Sequence, residues 1–104
     1  MPQKIKLNDS FAYEVLALLE EIPAGRVATY GQLARLIGHE KNARLVARVL
    51  SRAGSYGQFP CHRVVNHAGR PAPGWPEQAQ LLQSEGVALL PNGCVDLKQY
   101  QWEY

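Results

Sequence analysis

The apolar residues of this chain recur mainly at helical spacing, in runs that Pro and Gly interrupt. Residues 1–8 are expected to be a poorly ordered lead-in. A first helix is predicted after them, ending near Glu21 because Pro23 disfavours helical geometry at Ile22. Three residues could cap this helix: Asn8, Asp9 and Ser10. The residues expected to face the core are Phe11, Val15, Leu18 and Leu19.

Two short helices are predicted next. The first covers Tyr30–Ile37, with Thr29 as its cap, and ends at Gly38. The second is capped by Asn42 and runs from Ala43 to about Arg52. In the first of these helices, the residues expected to face the core are Leu33, Leu36 and Ile37. In the second they are Leu45, Val46, Val49 and Leu50.

The second half of the chain is predicted to combine short extended pieces with one more helix. Val64-Val65 is typical of a short buried strand, and a turn at 66–69 leads into an irregular, Pro-rich stretch. A fourth helix is expected from about Pro76 to Ser84 or Glu85. Val87–Leu90 and Cys94–Leu97 are predicted to form a closing hairpin, and the aromatic residues of the last five positions to anchor the tail.

The length of 104 residues predicts a single domain over 1–104, with 1–8 and 99–104 as terminal segments. No apolar run approaches the roughly 20 residues that a membrane-spanning helix needs, so no membrane partner is expected. Without a recognisable signal peptide, Cys61 and Cys94 are expected to be reduced thiols of a cytoplasmic monomer.

Charge is distributed unevenly along the sequence. The stretch from Arg26 to Arg70 carries a net charge of +7, whereas the two flanks together carry −5. Within that stretch, Arg44, Arg48 and Arg52 recur at i, i+4 and i+8 on one predicted helix. Two short helices of which the second bears a cationic row indicate a helix-turn-helix that binds a polyanion. A plain helical hairpin with a solvated basic face fits the same spacing.

The segment Pro60-Cys61-His62-Arg63 is the strongest candidate for chemistry. Cationic neighbours favour the thiolate form of Cys61, which would then be a nucleophile. His62 adjoins it, and Glu85 at the end of the fourth helix is a candidate to orient His62. The alternative is that Cys61 is a small buried apolar residue. The spacing of Cys and His predicts no metal site, and the absence of a phosphate-binding glycine loop predicts no nucleotide cofactor.

The run Pro-Cys-His-Arg-Val-Val at 60–65 resembles the C-terminal domain of the O6-alkylguanine-DNA alkyltransferases, as do Val-Ala-Thr-Tyr-Gly-Gln-Leu-Ala at 27–34 and Ala-Arg-Leu-Val-Ala at 43–47. The resemblance covers about residues 10–90. It implies a mainly helical α+β fold, a winged helix-turn-helix with a small β-hairpin wing. It also implies minor-groove binding to double-stranded DNA that contains O6-alkylguanine, and flipping of the damaged base into a pocket at Cys61.

The resemblance assigns a role to each matching residue. Cys61 would accept the alkyl group in a single turnover, as a methylated-DNA–protein-cysteine methyltransferase does. His62 would relay the proton through water, with Glu85 holding it. Arg44 would fill the gap left by the base, and Tyr30 would rotate the nucleotide outward. The wider DNA-binding set is Thr29, Tyr30, Gln32, Ala43, Arg44, Arg48 and Arg52, and the lesion-pocket set is Tyr30, Pro60, Cys61, Arg63, Val64 and Trp75.

Some features depart from that family. Its asparagine eight residues before the cysteine is Ala53 here, and the tyrosine that donates to guanine O6 has no clear equivalent; the Trp75 indole is a candidate replacement. The single small domain and a C-terminal Tyr-x-Trp resemble the alkyltransferase-like proteins, which bind the lesion without repairing it and recruit nucleotide excision repair proteins. Three hypotheses follow: alkyl transfer to Cys61, lesion sensing without transfer, and an ordinary transcription regulator.

Overall fold

The computed structural model describes residues 9–104. The chain forms two compact units. The first comprises Tyr30–Cys61 and the described residues up to Glu21, and the second comprises Ile22–Thr29 and His62–Tyr104. The prediction of one domain over 1–104 remains a prediction, and the expected lead-in at 1–8, with the candidate cap Asn8, lies outside the described residues.

The first unit is helical. It contains α1 (Asp9–Leu19), α2 (Tyr30–Leu36), α3 (Ala43–Ser51) and a 3₁₀ turn at Ala53–Ser55. All three helices contact one another, and their shared core contains the four residues that were predicted for α1: Phe11, Val15, Leu18 and Leu19. Burial of these side chains supplies most of the free energy that keeps such short helices folded.

Four details of the helical unit differ from the sequence prediction. Helix α1 ends at Leu19, two residues early, and its proposed caps Asp9 and Ser10 lie inside it. Leu36 was expected in the core, but it is 37% exposed. The seven-residue α2 instead buries Gln32, Leu33 and Ala34, because this face is the one that its neighbours cover.

The start of α3 is the fourth difference. Asn42 occupies the N-cap position, as predicted, but its side chain accepts no capping hydrogen bond. Its main-chain carbonyl accepts from Leu45 and Val46, at 3.0 and 3.1 Å. Val46 and Val49 are buried as expected, while Leu45 and Leu50 are partly exposed.

The second unit is built on a two-stranded parallel sheet. Strand β1 (Ala28–Thr29) pairs with β2 (Val64–Val65), with Ala28 opposite Val64 and Thr29 opposite Val65. A 3₁₀ turn at Cys61–Arg63 leads directly into β2. The predicted buried strand at Val64-Val65 is therefore confirmed, and both side chains are fully buried.

Two helices complete this unit, α4 (Glu77–Ser84) and α5 (Leu97–Tyr100). Pro76 stands at the N-cap of α4 and Glu85 at its C-cap, within one residue of the predicted limits. The apolar core contains Val27, Val65, Leu82, Val87 and Val95, against which Leu89, Leu97 and Tyr100 pack.

The predicted hairpin over 87–97 is wrong in its extent. Only one antiparallel bridge forms, between Leu89 and Val95, and Leu97 begins α5 instead of ending a strand. The Asp96 side chain caps α5 by accepting from the Lys98 amide, at 3.1 Å, which turns the chain into a helix. The described residues nevertheless form a mainly helical α+β structure, as predicted.

The C-terminal segment is held by main-chain hydrogen bonds, which the predicted anchoring by aromatic side chains did not include. The Val27 amide donates to Tyr100 at 3.0 Å, and the Trp102 amide donates to Val27 at 2.7 Å. The rings of Trp102 and Tyr104 meet edge to face, but Tyr104 is 70% exposed. Across the described residues, no helix combines the length and the apolar character that crossing a bilayer requires.

Candidate functional site

The Glu85 carboxylate is the centre of a hydrogen-bonded group in the second unit. Arg63 donates to it twice, from Nε to Oε1 at 2.9 Å and from Nη2 to Oε2 at 2.7 Å. His62 Nε2 lies 2.8 Å from the same Oε2. The predicted association of Glu85 with His62 is therefore present, and Arg63 is an additional member that the spacing did not indicate.

The local fold explains why these three side chains meet. Glu85 ends α4, while His62 and Arg63 lie in the 3₁₀ turn before β2. Arg63 Nη1 also donates to the main-chain oxygen of Ile22, at 2.8 Å. Its guanidinium therefore joins the end of α4 to the segment before β1.

The charge state of Glu85 determines the tautomer of His62. Hydrogen bonds from Arg63, and then from His62, lower the pKa of Glu85 from 4.5 to about 2, although partial burial opposes the change. The interaction with Glu85 correspondingly raises the pKa of Arg63. An ionised carboxylate can only accept, so His62 Nε2 carries the proton. In a neutral imidazole, Nδ1 is then the nitrogen that can take up a proton.

Cys61 belongs to the first unit and immediately precedes His62 in the chain. Its thiol donates to the main-chain oxygen of Leu50, with Sγ at 3.9 Å from that oxygen. Burial raises the pKa of Cys61, with a smaller lowering from a backbone hydrogen bond. The expectation that cationic neighbours favour the thiolate is wrong here, because burial of the Cys61 thiol disfavours its charged form. The resting form is a thiol.

Tyr30 is the first residue of α2 and is partly buried. Burial raises the pKa of its phenol, and repulsion from Cys61, whenever that thiol is ionised, raises it further. At neutral pH Tyr30 is therefore a protonated phenol that can donate a hydrogen bond.

The predicted cationic row is exposed. Arg44 and Arg48 project from α3, Arg52 is its C-cap, and all three side chains face solvent. Ala43, the first residue of α3, is partly exposed. Two other members of the predicted DNA-binding set differ, since Thr29 and Gln32 are only 8% and 7% exposed. Their contact with DNA remains a prediction, and burial leaves little of either side chain for a duplex to reach.

The predicted pocket residues fall into both units. Pro60 and Cys61 are partly exposed in the first unit. In the second, Arg63 is bound to Glu85, Trp75 is half-buried and Val64 is completely buried in β2. Val64 therefore contributes packing within its own unit.

Sequence reasoning missed one polar residue in this region, Gln78. It is 1% exposed and lies on the inner face of α4, one turn before the buried Leu82. A polar residue at core spacing with an apolar partner four positions later was the signal that could have identified it. Within residues 9–104, no cluster of three or more His, Cys, Asp or Glu side chains could hold a metal ion, and Cys61 and Cys94 are free thiols.

Residues 10–87 match the family model described as 6-O-methylguanine DNA methyltransferase, DNA binding domain. The chain belongs to this family. A DNA base-flipping protein of Escherichia coli (strain K12) is 39% identical over 105 residues, covering 98% of this chain and 81% of that protein. Alkyltransferase-like protein 1 of Schizosaccharomyces pombe is 31% identical over 104 residues, covering 91% of this chain and 96% of that protein.

A solved structure from the same family has the same fold. The crystal structure of S. pombe Atl1 in complex with damaged DNA containing O6-carboxymethylguanine matches with a TM-score of 0.83 and 31% identity. The match covers 94% of this chain and 99% of that chain. This match confirms the predicted winged helix-turn-helix fold class.

Proposed function

We propose that this protein binds double-stranded DNA that contains O6-alkylguanine, flips the damaged base out of the stack, and accepts the alkyl group on Cys61. The observation that carries the proposal is the match over 94% of the chain to a relative bound to DNA with an O6-alkylated guanine. The 39% identity to a DNA base-flipping protein supports the same reading.

The DNA-binding part of the proposal rests on α2 and α3. Exposed arginines at i, i+4 and i+8 repel one another, and a line of phosphates removes that repulsion. Arg44, in the first turn of α3, would enter the gap left by the base, while Tyr30 would act on the flipped nucleotide. Such insertion is how minor-groove proteins stabilise an opened duplex.

The chemical part of the proposal rests on Cys61, His62 and Glu85. The thiol proton would pass, through water, to Nδ1 of His62, whose ring the Glu85 carboxylate holds through Nε2. The thiolate would attack the alkyl carbon and form an S–C bond. The O6–C bond would break with its electron pair on the guanine oxygen, and a proton returned from the site would leave neutral guanine. One cysteine is consumed for each lesion.

Two measurements test this function. The protein should bind a duplex with one O6-methylguanine more tightly than the same duplex undamaged, as measured by fluorescence anisotropy. Intact-mass spectrometry after incubation should then show the protein heavier by one methyl group. Equal affinity for both duplexes, with preference for one base sequence, would support a transcription regulator instead.

A second candidate is a lesion sensor that binds without transfer. It is favoured by the raised pKa of Cys61 and by the hydrogen bond of its thiol to Leu50, both of which keep the sulfur protonated. In that case, excess protein should shield O6-methylguanine from an active alkyltransferase while its own mass stays unchanged. Recruitment of nucleotide excision repair proteins and a cytoplasmic location belong to this proposal as expectations.

A further inference from the structure

Gln78 is a buried side-chain amide with a partner at each polar atom. Its Nε2 donates to the main-chain oxygen of His62 at 3.1 Å and to that of Val64 at 2.9 Å. Its Oε1 accepts from the Ala72 amide at 2.7 Å. With three hydrogen bonds and 1% exposure, the amide has one favoured orientation.

The two carbonyls that Gln78 binds lie on either side of Arg63, where a 3₁₀ turn changes into β2. Main-chain oxygens at the end of a short helical turn need donors, because the turn itself supplies none. Gln78 is therefore the donor that fixes the main chain of His62, the residue after Cys61.

The third hydrogen bond fixes the Pro-rich segment 71–76. Pro71 and Pro73 lack an N–H, so Ala72 is the sole main-chain donor of that tripeptide. Gln78 accepts from this donor. Trp75 follows three residues later and lies one hydrogen-bonded turn before Gln78, since the Gln78 amide donates to the Trp75 oxygen at 3.1 Å. One side chain thus sets the distance between the Trp75 segment and the main chain at His62.

We propose that Gln78 is a positioning residue that determines lesion selectivity, by holding the 71–76 segment against the main chain of His62 and Val64. The inference rests on the proposed function, and it specifies which O6 substituents are accepted. With both ends of the Gln78 amide bonded, the segment has one position and small substituents are preferred. Release of Ala72 lets the segment move and relaxes the discrimination between small and bulky substituents.

Two substitutions separate the two ends of the amide. Gln78→Glu keeps an acceptor for Ala72 but places a carboxylate against two carbonyl oxygens. Gln78→Met keeps the size of the side chain and removes all three hydrogen bonds. The matched control is Gln80→Glu, the same chemical change at an exposed position of α4.

Dissociation constants are measured for three duplexes, which contain guanine, O6-methylguanine or O6-benzylguanine at the same position. The quantity compared between variants is the ratio of these constants for two duplexes. Gln78→Met should lower the preference for methyl over benzyl by about fivefold to tenfold, the factor that corresponds to the net contribution of about one hydrogen bond, the one that holds Ala72. It should also speed hydrogen exchange of the Ala72 amide, seen by NMR. Gln78→Glu should leave that exchange slow.

The variant Gln78→Glu gives a pH readout that simple loss of packing does not. A carboxyl beside carbonyl oxygens favours its protonated form, which can donate one hydrogen bond. Compared with the unsubstituted protein, the Gln78→Glu protein should therefore show a reduced preference for the damaged duplex near pH 8. That preference should recover near pH 5.5. Gln80→Glu should show neither the reduction nor the recovery.

Each other outcome decides against a particular claim. If both Gln78 variants fold and keep the ratios of the unsubstituted protein, selectivity does not depend on Gln78. If neither folds, judged by far-ultraviolet circular dichroism, the amide is required for folding and the proposal is overturned. If the unsubstituted protein itself prefers no damaged duplex, the proposed function fails, and slow Ala72 exchange would still show that Gln78 holds the segment.

Discussion

Arg63 and Glu85 form a two-pronged ion pair, with Nε–Oε1 and Nη2–Oε2 distances of 2.9 and 2.7 Å. The side chains are only 18% and 17% exposed, so water screens the pair weakly. Oε2 also lies 2.8 Å from His62 Nε2. One carboxylate therefore serves two purposes: it holds the turn before β2 in place, and it fixes the tautomer of the residue beside Cys61.

The first prediction concerns stability against pH. Glu85 has a folded pKa of about 2, below its ordinary 4.5, so its ion pair stabilises the protein above about pH 4.5. That contribution is lost as the pH falls from about 4.5 toward about 2. Glu85→Gln should lower the free energy of unfolding by about 1–3 kcal/mol at neutral pH, measured by urea denaturation.

The difference between Glu85→Gln and the unsubstituted protein should then shrink through that same pH window. Glu14→Gln, at an exposed position of α1, is the control and should change the unfolding free energy by less than about 0.5 kcal/mol at any pH. A pH-independent difference at Glu85 would show that its charge is not what stabilises the turn.

The second prediction concerns Arg44. Because its side chain is exposed on α3, Arg44→Ala should leave the thermal midpoint nearly unchanged. If Arg44 fills the gap in the stack, the affinity for O6-methylguanine DNA should fall by about tenfold or more. Arg70→Ala removes another exposed arginine outside α2 and α3, and should weaken binding much less.

A fluorescent 2-aminopurine next to the lesion reports whether the stack opens. Its emission should rise on binding of the unsubstituted protein and rise less with Arg44→Ala. No increase with either protein would mean that the duplex stays stacked, and base flipping would be excluded.

The third prediction assigns the alkylated sulfur. Cys61→Ser should abolish the mass increase after incubation with O6-methylguanine DNA and keep the affinity within about threefold, since a hydroxyl retains the size and a donor. Cys94 is 4% exposed in the core of the second unit, so Cys94→Ala should keep the mass increase. Alkylation of the Cys61→Ser protein would place the acceptor elsewhere.

The fourth prediction concerns the close approach of the Gly69 and Val95 main chains. Gly69 has φ +83°, and an added Cβ would overlap the main-chain oxygen of Val95, whose amide donates to Gly69 at 2.7 Å. Gly93 has φ +87° with open space at the Cβ position. Gly93→Ala should cost about 1–2 kcal/mol from the positive φ alone, and Gly69→Ala clearly more. If thermal denaturation shows equal losses of stability for the two variants, the close approach at Gly69 has no effect of its own.

The spacing of apolar residues predicted the helices because each helix carries an apolar stripe along one side. The stripe of α1 is buried as expected. Local capping and turn chemistry likewise placed the ends of α4 within one residue. Leu36 was misplaced because the choice between two apolar faces of a short helix depends on which neighbour covers it. The hairpin was overestimated because the Asp96 cap competes locally with strand pairing.

By itself, the sequence determined the segments, the exposed arginine row of α3, and the family to which Pro60–Val65 points, because these depend on residue type and spacing alone. Only the tertiary structure decided that Arg63 shares Glu85 with His62, that burial keeps Cys61 protonated, and that Gln78 ties Ala72 to His62 and Val64. Those relationships join residues from 6 to 23 positions apart. Their strength depends on burial and on directed hydrogen bonds, which exist only after the chain has folded.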